Sequence, residues 1–280
     1  MPTYAYRLVN VFTQRGAPLS GNPLCVFERG QTLDSARMQA LALQFNLSET
    51  TFILPSERAS ARVRIFTPGY EMAFAGHPTL GTAHVCRALG IGGDRLTLEM
   101  NAGIIPVRAA GDRWTLTANT PTWREVSEPR LTLAAMLGVE EGDIGERPLW
   151  VNAGTEQLIV PLTSEAAVRR VRVRAELLEQ FLSASGQSMA YIFAPAGTGL
   201  LARFFFPKGN AVLEDPATGS ATANLGGWYL ATDHALPCEL EISQGEYTGR
   251  PSSLRLRVDA QRQVLVSGDV IELGRGTVNL

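Results

Sequence analysis

A segment that occurs twice constrains this chain more than any other feature. Arg64-Ile65-Phe66-Thr67-Pro68 leads within about ten residues to Ala75-Gly76-His77-Pro78-Thr79-Leu80-Gly81-Thr82-Ala83, and roughly 140 residues later Arg203-Phe204-Phe205-Phe206-Pro207 leads to Glu214-Asp215-Pro216-Ala217-Thr218-Gly219-Ser220-Ala221. Each copy reads as an apolar strand, a turn and a helix of small residues. The separation of Pro68 from Pro207 nearly equals that of Gly81 from Gly219, close to half of the 280-residue chain. Such a repeat predicts two similar lobes facing a cleft, with two helix N-termini directed into it. An apolar content of 45% is enough to fill two cores without disulfide or metal staples.

Charge and cysteine usage narrow the function. The net charge is −2, and the arginines are scattered except for Arg169, Arg170, Arg172 and Arg174, which argues against nucleic-acid binding. That cluster alternates with Val168, Val171 and Val173 and reads as the solvated face of a connecting segment. Cys25, Cys86 and Cys238 are odd in number and far apart, with no metal-ligand spacing, and read as free thiols in a reducing compartment. No run of 18 apolar residues and no leader pattern is present, so the expectation is a cytoplasmic protein with no membrane or metal partner.

The pattern along the chain predicts many short strands around few helices. Tyr4 to Phe12 alternates as a strand, Gly21-Asn22-Pro23 punctuates a second at Leu24 to Phe27, and Leu33 to Leu47 carries Met38, Leu41 and Phe45 at helical spacing behind Asp34 as cap. Glu49 then falls at a helix-to-strand junction. The small-residue helices are expected from about Pro78 and about Ala217, and their composition predicts enclosure by strands. Val264 to Gly268 and Val270 to Leu273 read as two further strands. A Pro-, Gly- and acid-rich stretch from about Pro121 to Pro148 is the candidate boundary. It predicts an N-terminal lobe at 1–120 and a C-terminal lobe at 121–280, with the last strands, about 264–280, as candidates to pack back on the first. The class is α+β, because no regular βαβ alternation and no Gly-x-Gly-x-x-Gly after a first strand is present.

Glu49, His77, Asp215 and Ser220 are the residues placed to do chemistry. His77 and Asp215 precede the expected helix starts, where unpaired amides and a partial positive charge favour an anion, and Gly76 and Gly219 let a ligand approach the backbone. Plainer roles fit the same residues: Asp215 and Ser220 as helix caps, His77 as a loop residue bonded to a carbonyl, Glu49 as a surface carboxylate. As a set they suit acid–base chemistry on a small acid. A carboxylate near neutrality takes a proton from carbon while amides stabilise the developing charge, which requires no cofactor.

Gly21-Asn22-Pro23, Leu47-Ser48-Glu49-Thr50, Ala75 to Gly81, Glu214 to Ala221 and Gln244-Gly245 with Gly249-Arg250-Pro251-Ser252 resemble, in order and spacing, the phenazine-biosynthesis isomerase (PhzF-like) family over essentially the whole chain. The resemblance implies a diaminopimelate-epimerase-like fold: two pseudo-symmetric lobes, each a mixed β-barrel-like sheet wrapped around a central helix, and a homodimer. It implies an isomerase in which Glu49 shuttles the proton while His77, Asp215 and Ser220 bind or polarise the substrate; with the Gly76 and Gly219 amides as donors, the combined reading is a cofactor-independent isomerase of a small carboxylate-bearing substrate. The three cysteines do not occupy the helix-start motifs, so two-thiol racemisation is not expected. One departure is Asn10, where the family's first strand often carries Asp. An epimerase on the same scaffold and a non-catalytic binding protein are the alternatives.

Overall fold

The computed structural model describes residues 1–209 and 211–280, in two compact units: Met1–Thr117 with Ser267–Leu280, and Ala118–Val266. In the first unit the chain runs β1 (Thr3–Val11), β2 (Asn22–Phe27), α1 (Ser35–Phe45), β3 (Glu49–Leu54), β4 (Ala61–Phe66), β5 (Glu71–Met72), α2 (Gly76–Ala88), β6 (Arg95–Met100), β7 (Gly103–Ala110) and β8 (Arg113–Thr117). β2 lies antiparallel to β1 and parallel to β3; β4 lies antiparallel to β3 and β5 and parallel to β6. α2 packs against β1, β2, β3, β4, β6 and β8, and its first eight residues are all buried. Small side chains make that enclosure possible. A Cβ on Gly81 would stand 2.6 Å from Leu24 Cδ2 and 2.9 Å from Val11 Cγ2.

The second unit contains β9 (Thr122–Glu125), α3 (Arg130–Leu137), β10 (Leu149–Asn152), β11 (Glu156–Pro161), α4 (Glu165–Arg170), α5 (Ala175–Leu178), β12 (Ala190–Ala196), β13 (Gly199–Lys208), β14 (Ala211–Asp215), α6 (Gly219–Ala231), β15 (Cys238–Gln244) and β16 (Ser252–Val258). β17 (Val264–Asn279) begins in this unit and continues in the first. Its topology repeats that of the first unit. β11 is antiparallel to β10 and parallel to β12, and β13 is antiparallel to β12 and β14 and parallel to β15. α6 is the counterpart of α2, buried along most of its length, with Gly226 against Val264 and Leu256 and Gly227 against Pro121 and Val151.

The two copies also repeat side-chain contacts. Arg64 grips Glu71 at 2.7 and 2.5 Å and stacks over Phe66; Arg203 grips Glu214 at 3.0 and 2.7 Å and stacks over Phe205. Each bidentate pair clamps a hairpin that leads into a central helix. Thr79 and Thr222 each donate a hydroxyl to the carbonyl four residues back, Ala75 and Thr218. Glu71, Gly76 and Thr79 therefore correspond to Glu214, Gly219 and Thr222. The sequence match of Gly81 to Gly219 is out of register, because small residues recur along α2 and offer several alignments. Matching the strands by their partners pairs Thr50, opposite Phe66, with Ala190, opposite Phe205, so Glu49 corresponds to Met189.

Three expected boundaries are corrected. α2 begins at Gly76 and α6 at Gly219, so Pro78 is the third residue of its helix and Pro216 lies outside its own. The two strands expected at 264–273 are one strand, β17, because Gly268 is no turn. It lies against the Phe12 ring, where a Cβ has no room.

Candidate active site

In the first unit Glu49 and His77 are neighbours. α1 ends where Asn46 adopts the left-handed conformation (φ 50°) and closes its amide on the Ala42 carbonyl, so the chain reverses and Glu49 opens β3. Glu49 and Thr51 share one face of that strand, and Thr51 Oγ1 meets Thr82 Oγ1 of α2 at 2.8 Å in a buried contact. The same two elements bring His77 Nε2 to 3.3 Å from Glu49 Oε2. Gly76 is the first residue of the same helix, next to His77, and its cap residue Ala75 has no side chain to occupy the first-turn amides.

His77 is 5% exposed, and burial lowers its pKa to about 3 against the partial opposing effect of a hydrogen bond to the Pro23 carbonyl. A carbonyl only accepts, so the ring donates to it. With Nε2 turned to Glu49, that donor is Nδ1. The contact with Glu49 is therefore not an ion pair at neutral pH. A neutral imidazole protonated on Nδ1 presents the Nε2 lone pair, which accepts a hydrogen bond from Glu49 when that carboxyl carries a proton. This gives Gly21-Asn22-Pro23 a role its sequence did not reveal. Gly21, at φ 79° and with no space for a Cβ beneath the Val11 carbonyl, makes the turn that presents Pro23. Asn10 stands opposite Pro23 in the β1–β2 register, is fully buried, and donates Nδ2 to the Pro18 carbonyl at 2.8 Å. An ionised Asp could not make that bond.

Tyr70 is a neighbour that sequence reasoning missed. It ends the Thr67-Pro68-Gly69-Tyr70 turn, and burial first, then the Glu49 charge, raises its phenol pKa. An aromatic residue beside a Pro-Gly turn preceding the His77 motif was the available signal.

The second unit gathers Asp215, Gly219 and Ser220. Asp215 ends β14, three residues before the cap Thr218, so it does not cap α6; Ser220 is the second residue inside that helix. Thr218 Oγ1 donates to Asp215 Oδ2 at 2.6 Å. The direction is fixed by Gln244, whose Oε1 accepts from the Thr218 amide (3.2 Å) and whose Nε2 donates to the Asp215 carbonyl (2.8 Å) and to Thr218 Oγ1 (3.0 Å). The hydroxyl proton has only the carboxylate left, which holds Asp215 as an acceptor. Gly245 makes this approach possible, since a Cβ there would stand 2.6 Å from the Pro216 carbonyl. Ser220 Oγ accepts from Gln157 Nε2 at 3.1 Å.

Both helix starts thus carry polar groups held by long-range contacts, on two copies of one topology. The fold is mixed α+β and diaminopimelate-epimerase-like. A sequence profile of the phenazine biosynthesis-like protein family matches residues 9–276. The chain is 37% identical over 276 residues to an uncharacterized isomerase of Pasteurella multocida, spanning 98% of this chain and 93% of that one. It is 35% identical over 289 residues to the trans-2,3-dihydro-3-hydroxyanthranilate isomerase of Pseudomonas aeruginosa, spanning 99% and 100%. A crystal structure of a phenazine biosynthesis protein of the PhzF family from Bacillus anthracis superposes with a TM-score of 0.87 at 25% identity, each chain fully covered. The fold and these relatives define an isomerase. The chain belongs to the phenazine biosynthesis-like (PhzF) family. Among the described residues no helix is long and apolar enough to cross a membrane.

Proposed function

We propose that this protein is a cofactor-independent isomerase in which Glu49 moves a proton within a small carboxylate-bearing substrate. The observation that carries the reading is the contact of Glu49 Oε2 with the buried, uncharged His77 at 3.3 Å. A neutral imidazole stabilises the protonated carboxyl without trapping the proton, so the glutamate can take a proton from one carbon and return it at another. Gly76 and Gly219 amides, with His77, Asp215 and Ser220, bind and orient the substrate. The first-turn amides have no helical acceptor, and a carboxylate satisfies them. The named substrate of the Pseudomonas relative is the first compound to assay.

The register favours isomerisation over two-base epimerisation. Two-base epimerisation needs a second acid–base group, and the residue that corresponds to Glu49 in the repeat, Met189, has no ionisable side chain. The test is Glu49→Gln, which keeps shape and removes the base. Turnover is expected to fall at least about 1,000-fold while affinity changes little, by steady-state kinetics and calorimetry. Incubation in D₂O with mass spectrometry reads the proton step directly. Undiminished deuterium incorporation by folded Glu49→Gln would sink the mechanism.

A further inference from the structure

Behind Ser220 lies a chain of amides whose orientation is fixed from the backbone outward. Asn224 Oδ1 accepts from the Ala153 amide at 2.7 Å, and Asn224 Nδ2 donates to the Thr155 carbonyl at 2.8 Å. Both backbone partners have only one possible role, so the Asn224 side chain has one orientation. Its remaining Nδ2 hydrogen donates to Gln157 Oε1 at 2.8 Å, which turns Gln157 Nε2 toward Ser220 Oγ at 3.1 Å. Gln157 and Asn224 are 2% and 1% exposed. Ser220 can therefore only accept from Gln157, and its own hydroxyl proton must point away from the relay.

We propose that Gln157 and Asn224 are positioning residues that fix Ser220 as a hydrogen-bond donor toward an anionic oxygen of the substrate. The proposal rests on the reading of Ser220 as a substrate contact given above. It adds a polarity to that contact. A serine hydroxyl left alone rotates freely; accepting from the Gln157 amide occupies one of its two lone pairs and turns its proton away from that amide, which favours the donor role. The polarity originates in the Ala153 amide and Thr155 carbonyl, just beyond β10, and reaches Ser220 through two side chains, Asn224 of α6 and Gln157 of β11.

The test is a cycle of Gln157→Glu, Ser220→Ala and the double variant, with anthranilate as a stable aromatic carboxylate probe and calorimetry as readout. Glu at 157 keeps the shape and still accepts from Asn224, but its second oxygen accepts from Ser220 and turns the hydroxyl proton inward. Gln157→Glu and Ser220→Ala are each expected to weaken anthranilate binding about 10-fold or more, the range for a lost bond to a charged group, and the double variant no more than Ser220→Ala alone. Gln157→Met, which introduces no buried charge, guards against a folding defect. It is expected to weaken binding several-fold with an unchanged circular dichroism spectrum, again without effect in the Ser220→Ala background. Losses that multiply in either double variant would show that Gln157 acts independently of the hydroxyl and would overturn the proposal. An undiminished affinity in folded Ser220→Ala, or no binding by the unaltered protein at millimolar anthranilate, would remove the substrate contact itself. Those two results would tell against the functional reading as well as this one.

Discussion

The Glu49–His77 pair depends on His77 remaining uncharged, and that charge state makes the stability of the protein sensitive to acid. The folded pKa of about 3 lies below the ordinary value of 6.5, so as the pH falls the unfolded chain takes up the proton first. Stability from this residue is complete above about pH 6.5 and is lost progressively down to about pH 3, by up to a few kcal/mol. His77→Gln is expected to flatten the dependence of the urea midpoint on pH across that window relative to the unaltered protein. Parallel profiles would mean that His77 titrates normally when folded. Glu49 and His77 were each legible as candidate residues, but neither their contact nor its proton arrangement was. That arrangement depends on the Pro23 carbonyl, supplied by a turn more than fifty residues earlier in the chain.

At the scale of elements, α2 and α6 are enclosed helices, and their glycines show it. Gly81→Ala gains up to about 1 kcal/mol of helix propensity but drives a methyl group into Leu24, Val11 and Val9, at a cost of about 1–3 kcal/mol. The net expectation is a lower melting temperature by calorimetry, with Gly226→Ala behaving alike against Val264. Gly93→Ala, where nothing lies within 4 Å of the added carbon, is expected to leave it unchanged. A Gly81→Ala protein at least as stable as its parent would contradict the close packing. The small-residue composition predicted this enclosure correctly, whereas the helix starts were misjudged. The first-turn amides have no helical acceptor, so proline is accepted anywhere in that turn or just before it, and His77-Pro78 and Asp215-Pro216 carry the same local signal for different places.

At the scale of the whole molecule, a duplicated topology carries unequal chemistry, with His77 matched by Ser220 and Glu49 by Met189. Enclosure of one helix in each unit predicts a pattern of amide hydrogen exchange: the buried turns of α2 and α6 slowest, the wholly exposed β9 among the fastest. Exchange in α2 as fast as in β9, read by mass spectrometry, would contradict the enclosed-helix description. The amino-acid sequence determined the repeat, the α+β class, the family and the candidate residues, because small-residue runs, alternation and punctuation record how each local stretch is buried. Only the tertiary structure decided the register of the repeat, the tautomer of His77, the acceptor role of Asp215 toward Thr218 and the direction of the Ser220 hydroxyl. Each of those is set by a partner distant in the chain, Pro23, Gln244, or Gln157 with Asn224. A hydrogen bond has a direction that residue type alone does not encode, and it becomes fixed only when folding brings a donor and an acceptor of settled polarity together.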